Sequence, residues 1–312
     1  MAQILRTIGL LCVCTLMSAC GGDDGGPTGH VQVMPPAKEG IPPRTSTYIY
    51  QAAFAFDESR SFSGIGYELV HTKTGEVRPD GTPVIVQKAI FADRPNGLFQ
   101  YDASQRSAHF QYNGVVTTAV DDGSNVQHES TSLLWYDPFA KIPYSISYAG
   151  HVPGSGSPYI AYARLSVQAE KDVEVIQTFG GGSKTRSDDL PPRGHDARNY
   201  SISAQVLETE DAIFVSGSAR GIADFDFGRD EFAIDSASVS FDDDTSTPAL
   251  ELTVSGTIVR NDASLSATVT DKVSGRSSVV RGSCYGPYCE AILLEGLLTA
   301  EDGRQIILTI YM

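Results

Sequence analysis

Leu250-Glu251-Leu252-Thr253-Val254-Ser255 spells an extended strand residue by residue: Leu250, Leu252 and Val254 are apolar, while Glu251, Thr253 and Ser255 between them are polar. Neighbouring side chains of a strand point to opposite faces, so this spelling gives one buried face and one wet face. The period returns downstream, where Leu265, Ala267 and Val269 alternate with Ser264, Ser266 and Thr268. It is also present upstream, in Tyr200, Ile202, Ala204 and Val206 against Ser201, Ser203 and Gln205. Between Ala197 and Met312 about eight such segments are separated by turn residues, a number that suits a small closed barrel. Serial antiparallel strands must sandwich or close, because an open edge invites aggregation.

The stretch from Tyr48 to about Ile176 also reads as β-strands, with longer turns and more aromatics. Trp135, Tyr136, Phe139, Tyr144 and Tyr148 fall close together. No window shows a helical period, and a short helix near Gly97 to Ser107 is not favoured. Gly180-Gly181-Gly182, followed by a polar segment, marks the boundary between the two halves. The fold class expected is all-β: a smaller, irregular N-terminal β domain over residues 48–178, then an eight-stranded antiparallel β-barrel over residues 179–312. No internal repeat of fixed period is present.

Ahead of these lie two segments of different character. Residues 1–19 carry one positive charge, Arg6, an apolar core from Ile8 to Leu16 and the small-residue site Met17-Ser18-Ala19 before Cys20. That pattern reads as a signal peptide. A bilayer core needs about 20 apolar residues, more than this run supplies. A cysteine directly after the cleavage site looks like a bacterial lipobox, in which the thiol is acylated, and Met17 departs from its usual aliphatic residue. More than one acyl chain gives stable anchoring. Residues 20–47 are rich in Gly and then Pro, a composition that buries no core and reads as a flexible tether. The expected location is the cell outer membrane, lipid-anchored, facing either the surface or the periplasm.

The chain has 312 residues and a formal charge of −15. Nucleic-acid phosphates reward Lys and Arg, so this balance excludes a nucleic-acid partner. Cys12 and Cys14 leave with the signal segment and Cys20 is taken by lipid, which leaves Cys284 and Cys289 as an even pair in an oxidising compartment. They flank the turn-rich Tyr285-Gly286-Pro287-Tyr288. A disulfide is the favoured reading; zinc is the alternative, but two thiols without a nearby His supply half a structural site.

Sharper chemistries find little support. The six histidines, His30, His71, His109, His128, His151 and His195, form no pair at helical metal-binding spacing. A lone His109 beside Gln111 on a strand reads as a surface or hydrogen-bonded residue. Gly180 to Thr185 lacks the glycine before lysine that a phosphate loop requires, and Gly154 to Ser157 lacks the context of a serine nucleophile. Asp242-Asp243-Asp244 and the group Asp224, Asp226, Asp230 and Glu231 are oxygen-rich enough for calcium, yet acids between strands ordinarily form a solvated turn. Nothing in their spacing selects the paired carboxylates of a glycosidase. No catalytic residue, metal ligand or cofactor is expected.

Two segments together resemble a known family. Gly182-Ser183-Lys184-Thr185, Asp189-Leu190-Pro191, Gly194 and Tyr200 form the first; Gly282, Tyr285-Gly286-Pro287 and Glu290 form the second. In this order they are similar to the β-barrel domain of the transferrin-binding protein B family of bacterial surface lipoproteins, and Ala223-Asp224-Phe225 with Gly228 resembles a mid-barrel segment of it. The resemblance covers about residues 178–312. It implies a handle-like β domain before an eight-stranded barrel, and binding rather than catalysis. Family members capture host iron proteins, complement regulators or haem. The chain departs from the family pattern by two extra residues between Gly194 and Tyr200, by Cys284 and Cys289 in place of an aromatic and a small residue, and by Leu293-Leu294 in place of a glycine pair. The lost glycines bear on local barrel geometry, since close backbone approach usually wants Gly.

The expected function is that of an outer-membrane-anchored, non-enzymatic lipoprotein that binds an external protein or small solute through barrel and handle loops. An envelope structural lipoprotein without a soluble ligand, or a haem-binding relative, is the alternative; a β-rich hydrolase is a third class. No ligand residue carries over from the family. Trp135, Tyr136 and Tyr144 are the candidate binding residues, because Tyr and Trp are favoured interface anchors; the alternative is that they fill the first domain's core.

Overall fold

The computed structural model describes residues 48–50, 59–91, 97–112, 115–120, 126–129, 132–137, 144–149, 159–207, 214–241 and 249–312. Sheet and barrel belong to one compact unit, Ser46–Met312. The first ten strands are β1 (Arg60–Val77), β2 (Pro83–Phe91), β3 (Gly97–Asp102), β4 (Ser107–Tyr112), β5 (Val115–Val120), β6 (Val126–Glu129), β7 (Ser132–Asp137), β8 (Tyr144–Ala149), β9 (Ile160–Glu170) and β10 (Val173–Gly182). They form one sheet in the order β5-β4-β3-β1-β10-β9-β8-β7-β6, with β2 also paired to β1. The long strand β1 takes β3 along residues 60–64 and β2 along residues 67–77. Gly97 to Ser107 is a β-hairpin: Asp102 accepts the Ser104 and Gln105 amides and turns the chain back.

The remaining strands are β11 (His195–Leu207), β12 (Phe214–Asp226), β13 (Glu231–Phe241), β14 (Leu250–Val259), β15 (Ser264–Asp271), β16 (Ser277–Tyr285), β17 (Ala291–Thr299) and β18 (Gln305–Tyr311). They close in sequence order into an eight-stranded antiparallel barrel, β11 pairing with β18. The fold is therefore all-β, with a closed eight-stranded barrel after an N-terminal sheet. Among the described residues the only helical turns are 3-10 turns at Ser187–Asp189 and Pro287–Cys289, and no helix is long and apolar enough to cross a membrane.

The alternation quoted above is realised directly. Tyr200, Ile202, Ala204 and Val206, then Leu252 and Val254, then Leu265, Ala267 and Val269 all enter the barrel core. That core is filled. Ile202, Ala204, Ala223, Val239, Leu252, Val269, Val280, Ile292, Leu294, Leu308 and Ile310 are each 0 % exposed, so no water-sized space adjoins them. Glycines make room for rings: a Cβ on Gly221 would press into the Tyr200 ring, which donates its hydroxyl to the Ser236 carbonyl at 3.2 Å.

β17 and β18 do not alternate. Ile292, Leu294 and Leu298 of β17 and Ile306, Leu308 and Ile310 of β18 face the barrel core. Leu293 and Leu297 of β17 and Ile307 and Tyr311 of β18 instead join clusters with Tyr67, Leu69, Ala89, Ile160 and Ile176 of the sheet. Both faces of these two strands are covered, which is why they read as continuous apolar runs. The sheet thus packs its β1, β2, β9 and β10 region against the outer wall of the barrel. A separate cluster of Phe62, Phe99, Tyr101, Phe110, Leu165 and Phe179 forms the core of the sheet's opposite face.

The docking is polar as well as apolar. The Gln305 side chain accepts the Ala89 amide at 2.8 Å and donates to the Ala89 carbonyl at 3.0 Å, which satisfies part of the free edge of β2. Gly180 supplies room: a Cβ there would lie 2.6 Å from Leu293 Cδ2 and 3.0 Å from the Tyr162 ring. Leu293 is thus accommodated by a glycine on the facing layer. The barrel stays regular at this point, with Leu293 opposite Ser283 and Leu294 opposite Gly282.

Candidate functional site

The two motif segments meet in space. After β10 the chain runs antiparallel to the end of β16, with Lys184 bridged to Tyr285. The Thr185 amide donates to the Cys284 carbonyl at 2.9 Å, Gly286 N–H donates to the Ser183 carbonyl at 2.8 Å, and the Thr185 hydroxyl donates to the Gly286 carbonyl at 2.7 Å. Gly286 has φ of 73°, a left-handed backbone that favours glycine, and the Tyr159 ring fills the space a Cβ would need. Tyr50 packs edge-on to Tyr159 and donates its hydroxyl to Asp189 at 2.7 Å. Leu190 is buried in the barrel core, and the Pro191 carbonyl accepts from Arg260 at 3.2 Å. These motif residues therefore build the joint between sheet and barrel.

Beside the joint, one end of the barrel is stoppered. Cys284 and Cys289 are joined as a disulfide with their Cα atoms 4.7 Å apart, and neither is exposed. The Arg198 guanidinium enters under this loop. It donates to the carbonyls of Cys289 and Tyr288, pairs with Asp196 at 3.1 Å, and lies 5.3 Å and 5.5 Å from the centres of the Phe225 and Phe227 rings. The cation is thereby desolvated but hydrogen-bonded on several sides, and cation–π contact adds to its hold. Burial raises the Glu290 carboxyl above the usual range, with Arg198 acting against that rise.

The most unusual residue is Glu295. It is 0 % exposed, set in β17 on the outer wall of the barrel and covered by the sheet. The Tyr162 hydroxyl donates to its Oε1, and its Oε2 has no partner. Burial pushes its carboxyl up to about 8, the Tyr162 bond acting in the other direction. Tyr67, Tyr285 and Tyr311 feel its charge and are themselves raised, first by burial and then by Glu295.

A shallow open groove of about 610 Å³ crosses the outer barrel wall from the start of β11 to β15. His195, Asp226, Glu231, Thr257 and Ser266 form one row along it by cross-strand register; Asp224, Ala233, Ser255 and Thr268 form the next. Asp226 is engaged locally. It accepts the Gly228 and Arg229 amides at 2.8 Å and 3.2 Å and faces His195 at 3.6 Å. Asp230 pairs with Arg260 at 2.5 Å. These acids are turn-forming groups here, while Asp242-Asp243-Asp244 lies outside the described residues. Among the described residues no group of three or more His, Cys, Asp and Glu is arranged to hold a metal ion.

Trp135 and Tyr136 are consecutive in β7, Trp135 opposite Ile146 and Tyr136 opposite Ser145; Tyr144 opens β8 opposite Asp137. The three candidates thus occupy one hairpin of the sheet. Cys20 lies outside the described residues. His109 shares a hydrogen bond of 2.8 Å between its Nδ1 and the Thr118 hydroxyl. Sequence reasoning passed over Glu295 and Arg198. The signal for Glu295 was available: it is the lone charge within Ala291-Ile292-Leu293-Leu294-Glu295-Gly296-Leu297-Leu298.

No protein-family model matches this chain, and no curated protein does. Solved structures do. A double mutant of transferrin binding protein B from Haemophilus parasuis is 11 % identical, with 81 % of this chain and 75 % of that one covered at a TM-score of 0.41. Transferrin binding protein B from Neisseria meningitidis is also 11 % identical, with 82 % and 76 % covered at 0.36. A protein described as a surface lipoprotein is 11 % identical, with 79 % and 98 % covered at 0.38.

Proposed function

We propose that this protein is a non-enzymatic, outer-membrane-anchored lipoprotein that binds an external protein or small solute through the loops of its β domains. On this reading residues 1–19 are removed, Cys20 carries the lipid and residues 20–47 are the tether; the handle-like domain expected over residues 48–178 extends to Gly182, the end of β10, and the barrel strands run from His195 to Tyr311. The observation that carries the binding reading is the filled barrel interior, whose central side chains, such as Ile202, Leu252, Leu294 and Ile310, are fully buried. Such a barrel is a scaffold rather than a container, and recognition falls to its surface and to the sheet joined to it. The residues with the most distinctive chemistry are engaged structurally: Glu295 and the joint around Gly286 lie between sheet and barrel, and Arg198 holds the loop that closes one end of the barrel. The anchoring rests on Met17-Ser18-Ala19-Cys20 and the Gly/Pro-rich stretch behind it.

Protease shaving of intact cells tests the reading. Digestion without lysis is expected, together with release of the Cys20→Ala variant from the membrane fraction. Protection until the outer membrane is broken would overturn an external ligand, and a Cys20→Ala variant that stays membrane-bound would overturn the anchor.

A further inference from the structure

A carboxylic acid with no route to water is held either uncharged or well paired. Glu295 has one hydrogen bond, from Tyr162, and its Oε2 is without a partner. Its surroundings are mostly phenols. Tyr67 faces it from β1, Tyr162 from β9, Tyr285 from β16 and Tyr311 from β18. The cationic groups on that side are Arg281, directly opposite on β16, and Arg164 of β9, which acts on Tyr67. β2 offers only the uncharged Gln87 and Ala89, and β10 the uncharged Ile176 and Thr178 with the Glu174–His71 pair beyond them. All of β1, β2, β9 and β10 belong to the sheet, so separating the sheet from the barrel would place Glu295 in water on an outer wall.

We propose that Glu295 is a proton-controlled latch between sheet and barrel: protonated, it stays docked beneath the sheet, and ionised, it favours separation of the sheet from the barrel wall. The proton passes to solvent and the carboxylate gains hydration. Burial gives the direction of the effect. The docked carboxyl titrates near 8 and a solvated one near 4.5. Between those values the docked form holds one more proton than the separated form. Docking is therefore fully favoured below about 4.5 and weakens up to tenfold per pH unit until about 8, where the dependence ends.

The Ala89 amide reports on separation, because its hydrogen bond crosses the interface to Gln305. Its hydrogen exchange in the full chain, corrected for intrinsic base catalysis, is compared between pH 5 and 9 for the wild type and Glu295→Gln. Protection that falls about tenfold per unit up to about pH 8 and then levels off in the wild type, and stays level throughout in Glu295→Gln, is expected. The carboxyl ¹³C shift of Glu295 in the wild type gives the midpoint independently, and decides the matter if the variant does not fold. A midpoint near 4.5, a level wild-type Ala89 profile, or the same slope in Glu295→Gln would each overturn the latch.

Discussion

The Gln305 side-chain amide and the Ala89 peptide unit exchange two hydrogen bonds across the interface, at 2.8 Å and 3.0 Å, so one barrel residue mimics the strand that would have come next to β2. Ala89 is 2 % exposed. Gln305→Ala would leave a buried donor and acceptor with no substitute, and each unsatisfied group costs about 1–3 kcal/mol. A fall in Tm of several degrees is expected, with the loss of protection concentrated at Ala89. Gln305→Glu keeps the acceptor but sets a carboxylate against the Ala89 carbonyl. It should be less stable than wild type at neutral pH and recover in part on acidification. Thermal melts at two pH values would expose the error if both variants matched the wild type.

The barrel was legible because period-two alternation survives in β11, β14 and β15, whose outer faces are polar. It fades in β17 and β18, where Leu293, Leu297, Ile307 and Tyr311 are covered by a second layer that no local pattern announces. Glu295 illustrates the limit. Its position opposite Leu294 in the alternation assigns it to the wet face, and only docking of the sheet turns that face into an interior. Gly180 and Gly182 read as chain punctuation, yet both sit within β10 and pair with β1 and β9. The missing side chain of Gly180 matters to Leu293, in a layer far away in sequence, and that of Gly182 to the Tyr159 backbone beside it, neither of which the spacing of residues records. The resemblance motifs were legible as turns, but their mutual pairing at Thr185 and Gly286 is a tertiary fact.

Gly180 and Leu293 should be energetically coupled. Gly180→Ala places a methyl 2.6 Å from Leu293 Cδ2, and Leu293 is fully buried, so its displacement is opposed by the packing around it. Leu293→Ala alone leaves a cavity, typically at about 2–5 kcal/mol. Combined, the added methyl enters space that the leucine has left. The double variant should be more stable than the sum of the single losses, by about 0.5–3 kcal/mol. Denaturant unfolding of the four proteins measures this, and additive losses would show that the two layers do not touch as described.

Glu174, on the same interface, should carry a pH dependence of the opposite sign to Glu295. The hydrogen bond from His71 holds its carboxyl below the usual value of 4.5, burial opposes this, and the Ser166 hydroxyl adds to the lowering. A depressed carboxyl contributes stability that is present above the unfolded value and is lost as pH falls through the folded one. Glu174→Gln should therefore be less stable than wild type at neutral pH, and the two stability curves should converge as the medium is acidified below 4.5. Curves that stay parallel throughout would remove His71 as the cause.

Arg198 and the Cys284–Cys289 bridge should act as one unit. The bridge closes a loop with a sequence separation of 5, and the loop presents the Tyr288 and Cys289 carbonyls to the guanidinium. Closing so short a loop is worth about 2 kcal/mol through the unfolded chain. Arg198→Met keeps much of the side-chain volume over Phe225 and Phe227 but leaves the two carbonyls without their donor, at roughly 1–3 kcal/mol. With Cys284→Ala and Cys289→Ala in place, the loop is free to turn those carbonyls to solvent, and Arg198→Met should cost less than it does with the bridge intact. Peptide mapping without reductant first establishes that the bridge is formed. Unfolding of the wild type, the bridge-free protein, Arg198→Met and their combination then gives the coupling. Losses that add to within about 0.5 kcal/mol would mean that the cation and the bridge stabilise this end of the barrel independently.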